Sequence, residues 1–119
     1  MGYVYIALTI LFTVYGQLII KSQVSGAGAF PADSGDKIAF FARLLLNPWV
    51  LSGLAAAFLA SLAWMAALTQ FELSFAYPFT SLSFVTVILL SAFLFNEGLT
   101  LNKLIGTAVI LIGLVIISR

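Results

Sequence analysis

Long runs without any charged residue dominate this sequence. They cover positions 2–20, 44–71, 73–96 and 104–118. A helix rises about 1.5 Å per residue and the hydrocarbon core of a bilayer is about 30 Å thick, so about 20 apolar residues cross a membrane. The runs therefore predict four membrane-spanning helices, at about 2–21, 48–69, 74–95 and 101–118.

The composition excludes several classes of protein. Charged residues make up 8% of the chain and its net charge is +1, whereas a globular domain carries about 25% charged residues. A soluble domain and a nucleic-acid partner are therefore not expected. The chain has no Cys and no His, which removes the commonest metal ligands and the commonest general base. We expect no metal, no cofactor and no enzymatic activity.

The segments between the spans predict how the helices are arranged. The connections at 70–73 and 96–100 are short, and short connections make neighbouring helices antiparallel. Asn47 before Pro48 is typical of the start of a helix, and Thr100 is a candidate N-cap for the last span. We expect an all-α, four-helix transmembrane bundle, forming one domain over 1–119 in the inner (plasma) membrane.

The connection 22–46 is longer than the others. Positions 25–35 are rich in Gly, Ala, Ser and Pro, which indicates a loop. Ser34 could cap a short helix over 35–46. One face of this helix would be apolar, with Ile38, Phe41 and Leu45, widened by Phe40 and Leu44. The opposite face would be polar, with Asp36 and Arg43. This pattern predicts an interfacial helix lying on the membrane. The alternative is that 35–46 extends the second span.

The basic residues give a weak indication of orientation. Those flanking the first and third connections are Lys21, Lys37, Arg43 and Lys103, and Arg119 alone lies on the other side. Basic residues favour the cytoplasmic side. We therefore expect both connections in the cytoplasm and both termini outside, with dual insertion as the alternative.

Polar residues in the first span fall on one helix face. Thr9, Thr13, Gln17 and Lys21 are spaced by four residues and form what we call the α1 stripe. Polar groups within a membrane tend to bind a ligand or to join helices. Lys21 with Gln17 one turn deeper would suit a phosphate. Alternatively, Lys21 extends to the headgroups and Gln17 bonds to another helix.

The third and fourth spans carry further candidates. Ser74, Tyr77 and Ser81 share one face of the third span, with Thr80 and Ser83 beside it. Pro78 lies in the first turns of the span, where its missing N–H costs little, and a kink at this position is the alternative. A hydroxyl-lined face opposite the α1 stripe would form a polar groove. Gly106 and Gly113 share a face of the fourth span, which favours a dimer interface, or close packing within one subunit. No carboxylate lies deep within a span, which argues against proton-coupled exchange.

Two motifs resemble a known group of transporters. Gly16-Gln17-Leu18 leads to Lys21, and Ala76-Tyr77-Pro78 leads to Ser81-Leu82. With the four short spans, Glu97 and the glycines of the last span, these motifs resemble the four-helix branch of the drug/metabolite transporter superfamily. The likeness covers almost the whole chain, except for the longer stretch 23–46.

Within that superfamily, the chain resembles the EamA-like subunits of the aminoarabinose-phosphoundecaprenol flippase more than the small multidrug resistance transporters. The latter group has a coupling glutamate where this sequence has Thr13. It has a Trp at the position of Thr80 and a Gly-x-Gly hinge at Leu82 and Phe84. The residues associated with drug–proton exchange are therefore missing.

The resemblance implies a flippase, or a flippase subunit, that moves a polyprenyl-phosphate-linked sugar between leaflets as a homodimer or with a similar partner subunit. We expect Lys21 and Gln17 to hold the phosphate, and Thr13, Tyr77 and Ser81 to line a groove for the sugar, while the apolar tail stays among membrane lipids. One alternative is a small multidrug-resistance-like exporter of amphipathic molecules. Another is a non-transporting scaffold for a glycosyltransferase.

Overall fold

Six helices make up most of the computed structural model, which describes residues 2–119. They are α1 (Gly2–Gly26), α2 (Ser34–Leu46), α3 (Pro48–Leu68), α4 (Leu73–Phe79), α5 (Ser81–Leu94) and α6 (Leu101–Ser118). Four segments are long and apolar enough to cross a membrane, because α4 and α5 together form one of them, Leu73–Leu94. The expected all-α fold with four spans is confirmed.

The first helix continues to Gly26, beyond its predicted end near residue 21. Lys21 was expected to mark the level of the headgroups, and the backbone hydrogen bonding of the helix continues past it. The chain leaves the helix at Gly26, and Gly28 then adopts a φ of 92°, which is a conformation that glycine tolerates best.

The helix starts follow the expected capping chemistry in two of three cases. The side chain of Asn47 accepts a hydrogen bond from the Trp49 N–H, and that of Thr100 accepts one from the Lys103 N–H. The prediction for α2 was wrong by one residue. Asp33 is its N-cap and Ser34 already lies within the helix, and no side chain caps this start by a hydrogen bond.

Helix α2 is separate from α3, because Asn47 between them is extended, with φ −71° and ψ 126°. The expected apolar face was only partly right. Ile38, Phe41 and Leu45 are exposed, whereas Phe40 is buried and lines a cavity with Leu44. Phe40 and Leu44 thus lie on the side that packs on the protein, and α2 has two apolar faces in place of one broad face.

The third span is interrupted, so Pro78 has more effect than a proline in the first turns of a helix need have. Thr80 separates α4 from α5, and its N–H donates to the Tyr77 carbonyl at 2.9 Å. Pro78 has no N–H to continue the helical pattern, and bonds between residues three apart tighten the turn that follows it.

The closest packing in the molecule is between α1 and α3, which run antiparallel. Gly2 lies near Phe71, Gly16 faces Gly53, and Gln23 bonds to Asn47. A methyl group built on Gly16 would lie 3.0 Å from the Gly53 carbonyl oxygen. Small residues therefore set the distance between these helices, as is common where helices pack in lipid.

Packing decreases steadily from α1 and α3 to α6. Buried residues form 28% of the spanning window of α3 and 22% of that of α1, but only 6% of that of α6. Helix α6 packs mainly on α4 and α5. Most of its surface is therefore free to contact lipid or another subunit.

Substitution of Gly16 tests the close approach of α1 and α3. We expect Gly16→Ala to lower the free energy of unfolding by about 1–3 kcal/mol, since the added methyl group meets backbone that cannot move aside. A methyl group at Gly35 meets nothing within 4 Å, so Gly35→Ala is the control and should not destabilise the protein. Thermal unfolding in detergent measures both, and equal stability of the two variants would contradict this packing.

Cysteine labelling tests the orientation. Lys21 lies beside Glu97, so the first and third connections share one end of the bundle. The chain has no native Cys, and Ala32 and Gln70 are exposed in the first and second connections. We expect a membrane-impermeant maleimide to label Gln70→Cys in intact spheroplasts, and Ala32→Cys only after lysis. The reverse pattern, or labelling of both, would contradict the orientation inferred from the basic residues.

Candidate functional site

The α1 stripe lies between two grooves. One groove separates α1 from α3 and the other separates α1 from α5, and Thr13 and Gln17 line both of them. These two side chains therefore stand at the border between the grooves, where one ligand could contact both. Gln17 is exposed and Thr13 half-buried.

The groove between α1 and α3 has a volume of about 350 Å³. Its α3 wall includes Ser61 and Trp64, and the small residues Gly53, Ala57 and Ala60 complete that wall. The Ser61 hydroxyl donates to the Ala57 carbonyl of its own helix at 3.1 Å, so its oxygen can still accept a hydrogen bond from a ligand.

The groove between α1 and α5 has a similar volume, about 340 Å³. Opposite Thr13 and Gln17 it presents Ser83, with apolar walls from Phe84, Val87 and Ile88. Ser83 is buried and its hydroxyl bonds to the Thr80 carbonyl. This groove is therefore mostly apolar, with its polar groups concentrated on the α1 side.

The residues of the α1 stripe differ in how far their polar groups are already used. Thr9 is buried, and its hydroxyl donates to the Tyr5 carbonyl at 2.8 Å. The structure pairs the Gln17 amide with no other protein group among residues 2–119. An amide without a partner in a span is costly unless water or a ligand reaches it, so Gln17 is the strongest candidate for ligand contact.

Lys21 lies one helical turn beyond Gln17 and faces Glu97 of the third connection. Its Nζ is 3.8 Å from the Glu97 Oε1, and the two side chains are 51% and 41% exposed. A pair this long and this exposed is weak. The ammonium group can therefore exchange the carboxylate for another anion at little cost.

The third connection is held in place by several local bonds. Asn96 adopts a φ of 53°, a left-handed conformation that Asn tolerates better than most residues. The Lys103 Nζ donates to the Gly98 carbonyl at 2.9 Å, and Thr100 caps α6. These contacts place Glu97 beside Lys21 and leave Lys103 with a partner of its own.

Tyr77 and Ser81 do not line either groove with Thr13 and Gln17. Tyr77 is 64% exposed, and its ring meets Trp64 edge-on at 6.2 Å between centroids. It thus adjoins the groove between α1 and α3 through Trp64. Ser81 is half-buried at the start of α5, next to the break at Thr80. The structure therefore brings Gln17 and Thr13 together, with Lys21 at their end, and leaves Ser81 apart.

Sequence reasoning missed Ser61 and Trp64. Both line the groove between α1 and α3, three residues apart and hence on one side of α3. A serine and a tryptophan at this spacing, in a span whose one other polar side chain is Ser52, were the available signal. Nothing in the sequence showed that this side faces α1, because apolar residues surround it on every side of α3.

Gly106 and Gly113 have open space beside them. A methyl group built on either would meet no atom within 4 Å. The glycines therefore do not serve close packing between helices of one subunit, at least among residues 2–119.

The chemistry of the site follows from its polar groups. The two grooves offer an amide and hydroxyls, and among residues 2–119 no acidic residue lines either of them. The Lys21 ammonium lies one turn beyond Gln17, outside the lining of both grooves and beside Glu97. Such a set suits a ligand with an anionic group and several hydroxyls, held by hydrogen bonds in a membrane groove.

Comparison with known proteins identifies a family of transporters. Residues 6–119 match the model of the EamA-like transporter family. A probable 4-amino-4-deoxy-L-arabinose-phosphoundecaprenol flippase subunit ArnE of Pseudomonas aeruginosa (strain UCBPP-PA14) is 32% identical over 111 residues, which cover 93% of this chain and 91% of that protein. The similarly named protein of Serratia proteamaculans (strain 568) is 34% identical, covering 98% and 95%.

A second kind of subunit is also similar. The probable flippase subunit ArnF of Photorhabdus laumondii subsp. laumondii, named for the same lipid-linked sugar, is 46% identical over 72 residues, which cover 59% of this chain and 57% of that protein. No solved structure matches this chain.

Removal of the Glu97 charge tests how loosely Lys21 is held. We expect Glu97→Gln to change the free energy of unfolding by less than about 0.5 kcal/mol, because exposed ion pairs contribute little. Asn47→Ala should cost about 1–2 kcal/mol, since it removes a helix cap and the bond to Gln23. Thermal unfolding in detergent compares the two variants. A loss for Glu97→Gln as large as that for Asn47→Ala would show that Lys21 is firmly held by Glu97.

Proposed function

We propose that this chain, which belongs to the EamA-like transporter family, is a subunit of a flippase that moves a polyprenyl-phosphate-linked sugar across the inner membrane. The chain is a multi-pass inner-membrane protein. The observation that carries the proposal is the α1 stripe, in which Gln17, without a partner in the described residues 2–119, borders two grooves and leads to Lys21. The relatives are named as subunits of a flippase for such a lipid.

The substrate that we propose fits the division of polar and apolar surface. Only the head of a polyprenyl-phosphate sugar needs a polar path, since its tail is at home in lipid. The hydroxyls of Thr13 and Ser61 and the amide of Gln17 can exchange hydrogen bonds with the sugar as it passes. Trp64, beside Tyr77, offers a flat apolar surface for the face of a sugar ring. The relatives are named for an amino sugar, whose ammonium could also rest on this ring.

Lys21 would receive the phosphate. In the structure the anion beside Lys21 is the Glu97 carboxylate, with 3.8 Å between the Lys21 Nζ and the Glu97 Oε1. A phosphate presents the same kind of oxygen atom and carries more negative charge. Exchange of Glu97 for phosphate would free the third connection while the headgroup enters. Gln17, one turn deeper, would then donate to a phosphate or sugar oxygen. The chain would move its substrate without changing it chemically.

A second subunit would complete the path. Each groove is open and small, about 350 and 340 Å³, and α6 is almost unburied. We propose that Gly106 and Gly113 pack against a second copy or against a similar subunit. The likeness to two differently named subunits, ArnE and ArnF, supports a heterodimer as strongly as a homodimer.

The alternative of a small exporter has less support. It requires a group that binds a proton or a cation within the membrane. Glu72, the carboxylate next to the start of the third span, is exposed at the N-cap position of α4 and therefore does not meet this requirement.

Transport in proteoliposomes tests the assignment of the phosphate site. We expect Lys21→Gln and Gln17→Ala each to slow flipping of undecaprenyl-phosphate-linked aminoarabinose about tenfold or more, because each loses a hydrogen bond to a charged group, worth about 1.5–3 kcal/mol. Glu97→Gln removes only the competing carboxylate and should retain transport. The assay uses the partner subunit where the wild-type protein requires one.

The matched control is Lys103→Gln. It removes the same charge at the same end of the bundle, but Lys103 bonds to the Gly98 carbonyl and not to the groove. It should flip at the wild-type rate. If Lys21→Gln and Gln17→Ala also kept that rate, the site assignment would be wrong.

Disulfide cross-linking or energy transfer in liposomes tests the dimer surface. Gly113→Leu, alone or with Gly106→Leu, should lower the fraction of associated subunits several-fold, because leucine prevents a close backbone approach. Ala108→Leu is the control. Ala108 is exposed on the same helix but is rotated by about 200° from Gly106. Equal association of Gly113→Leu and Ala108→Leu would place the interface elsewhere.

A further inference from the structure

A polar cavity lies where the end of α1 meets α2, apart from the α1 stripe. It has a volume of about 380 Å³, and its polar lining is Gln23, Arg43 and Asn47, with Gly26, Ala27, Phe40 and Leu44 around them. Gln23 follows Lys21 by two residues, so the two side chains are rotated by about 200° around the helix axis. Among residues 2–119, the cavity shares no lining residue with the two grooves beside the α1 stripe.

The depth of the cavity matches that of the lipid headgroups. Asn47 begins the spanning helix α3, and Gln23 lies just past Lys21, where the uncharged part of α1 ends. The outer face of α2 exposes Ile38 by 72%, and Phe41 and Leu45 by 52% each. An exposed apolar face beside charged residues fits a helix at the membrane surface. The cavity opens beneath such a helix, where phosphates of membrane lipids are concentrated.

The cavity presents hydrogen-bond donors and no acidic residue. The structure pairs Arg43 with no carboxylate among residues 2–119. The Asn47 Nδ2 donates to the Gln23 Oε1 at 2.9 Å, and the Asn47 Oδ1 accepts from the Trp49 N–H at 2.8 Å. These bonds orient the Gln23 amide, whose Nε2, within the described residues 2–119, makes one long bond of 3.4 Å to the Ser22 hydroxyl. A guanidinium and an amide N–H therefore remain available to a ligand.

We propose that this cavity binds the phosphate of a membrane lipid, as a second anion site separate from the α1 stripe. The planar fork of Arg43 matches phosphate oxygens in a bidentate fashion, and Gln23 donates a further hydrogen bond. Phe40 and Leu44 contact the first carbons of the lipid chain. Basic pockets at the membrane surface bind lipid headgroups in this way. The proposal stands independently of the flippase function.

Native mass spectrometry of the purified protein tests the site, with phosphatidylglycerol and undecaprenyl phosphate as probes. We expect Arg43→Gln to weaken binding of a phosphate-bearing lipid about tenfold or more. Lys37→Gln is the matched control. It removes the same charge from the same helix, but Lys37 lies over the Phe30 ring at 5.4 Å and should leave lipid binding unchanged. Lys103→Gln is a second control, since Lys103 bonds to the Gly98 carbonyl, and it should also leave lipid binding unchanged.

A second variant, which fills the cavity, distinguishes loss of lipid binding from a folding defect of Arg43→Gln. Leu44→Trp leaves Arg43 in place and fills the cavity, and it should lose the lipid to a similar extent while keeping the helical circular dichroism of the wild-type protein. The two probes distinguish the ligands. If the variants lose more undecaprenyl phosphate than phosphatidylglycerol, the ligand is a polyprenyl phosphate; if they lose both lipids equally, it is a bilayer phospholipid. Wild-type binding by both Arg43→Gln and Leu44→Trp would overturn the proposal, and would leave Arg43 as a complement to the C-terminal end of α2.

Discussion

The cost of a polar group inside a membrane is the constraint on which this structure depends. Backbone groups meet it by forming helices, and most hydroxyls in the spans meet it by bonding to their own helix, as Thr9 and Thr86 do. Gln17 differs, because its amide has no protein partner among residues 2–119 and faces two grooves. The open grooves beside Gln17 let water or a ligand bond to its amide, which would otherwise be costly within the membrane. The close contact of Gly16 with Gly53 fixes the helix that carries the amide, so the position of the α1 stripe follows from packing by small residues.

The spans and their ends could be predicted from the positions of the charged residues, because charged side chains are excluded from the hydrocarbon core of the membrane. Asn47 and Thr100 act through local chemistry, and each capped a helix as expected. For Pro78 the sequence left an unbroken helix and a kink both open, and the structure shows an interruption. The direction of a helix face could not be predicted where both sides are apolar. Phe40 and Leu44 were therefore assigned to the wrong face of α2, and Ser61 and Trp64 of α3 were missed. The pairing of Lys21 with Glu97 joins residues far apart in sequence, and no local pattern could reveal it.

The uneven packing of the bundle connects its fold with its proposed assembly. Helices α1 and α3 form a well-packed pair that supports the grooves, whereas α6 is nearly unburied. In lipid an exposed apolar helix carries no penalty, so exposure alone does not identify an interface. Two glycines with open space beside them on that helix are more informative, since they allow a second backbone to approach. If each subunit forms half of the path for the substrate, a partner subunit packed on α6 would account for both the exposure of this helix and its two glycines.

Lipid that remains bound through purification tests the central claim most directly. Mass spectrometry of lipids extracted from the wild-type protein, compared with the membranes from which it came, should show enrichment of a polyprenyl-phosphate-linked sugar. The enrichment should be lost in a Gln17→Ala and Lys21→Gln double variant that folds normally. Recovery of bulk phospholipids alone from the wild-type protein, or equal enrichment in the double variant, would contradict the account of the α1 stripe as a binding site for a lipid-linked sugar.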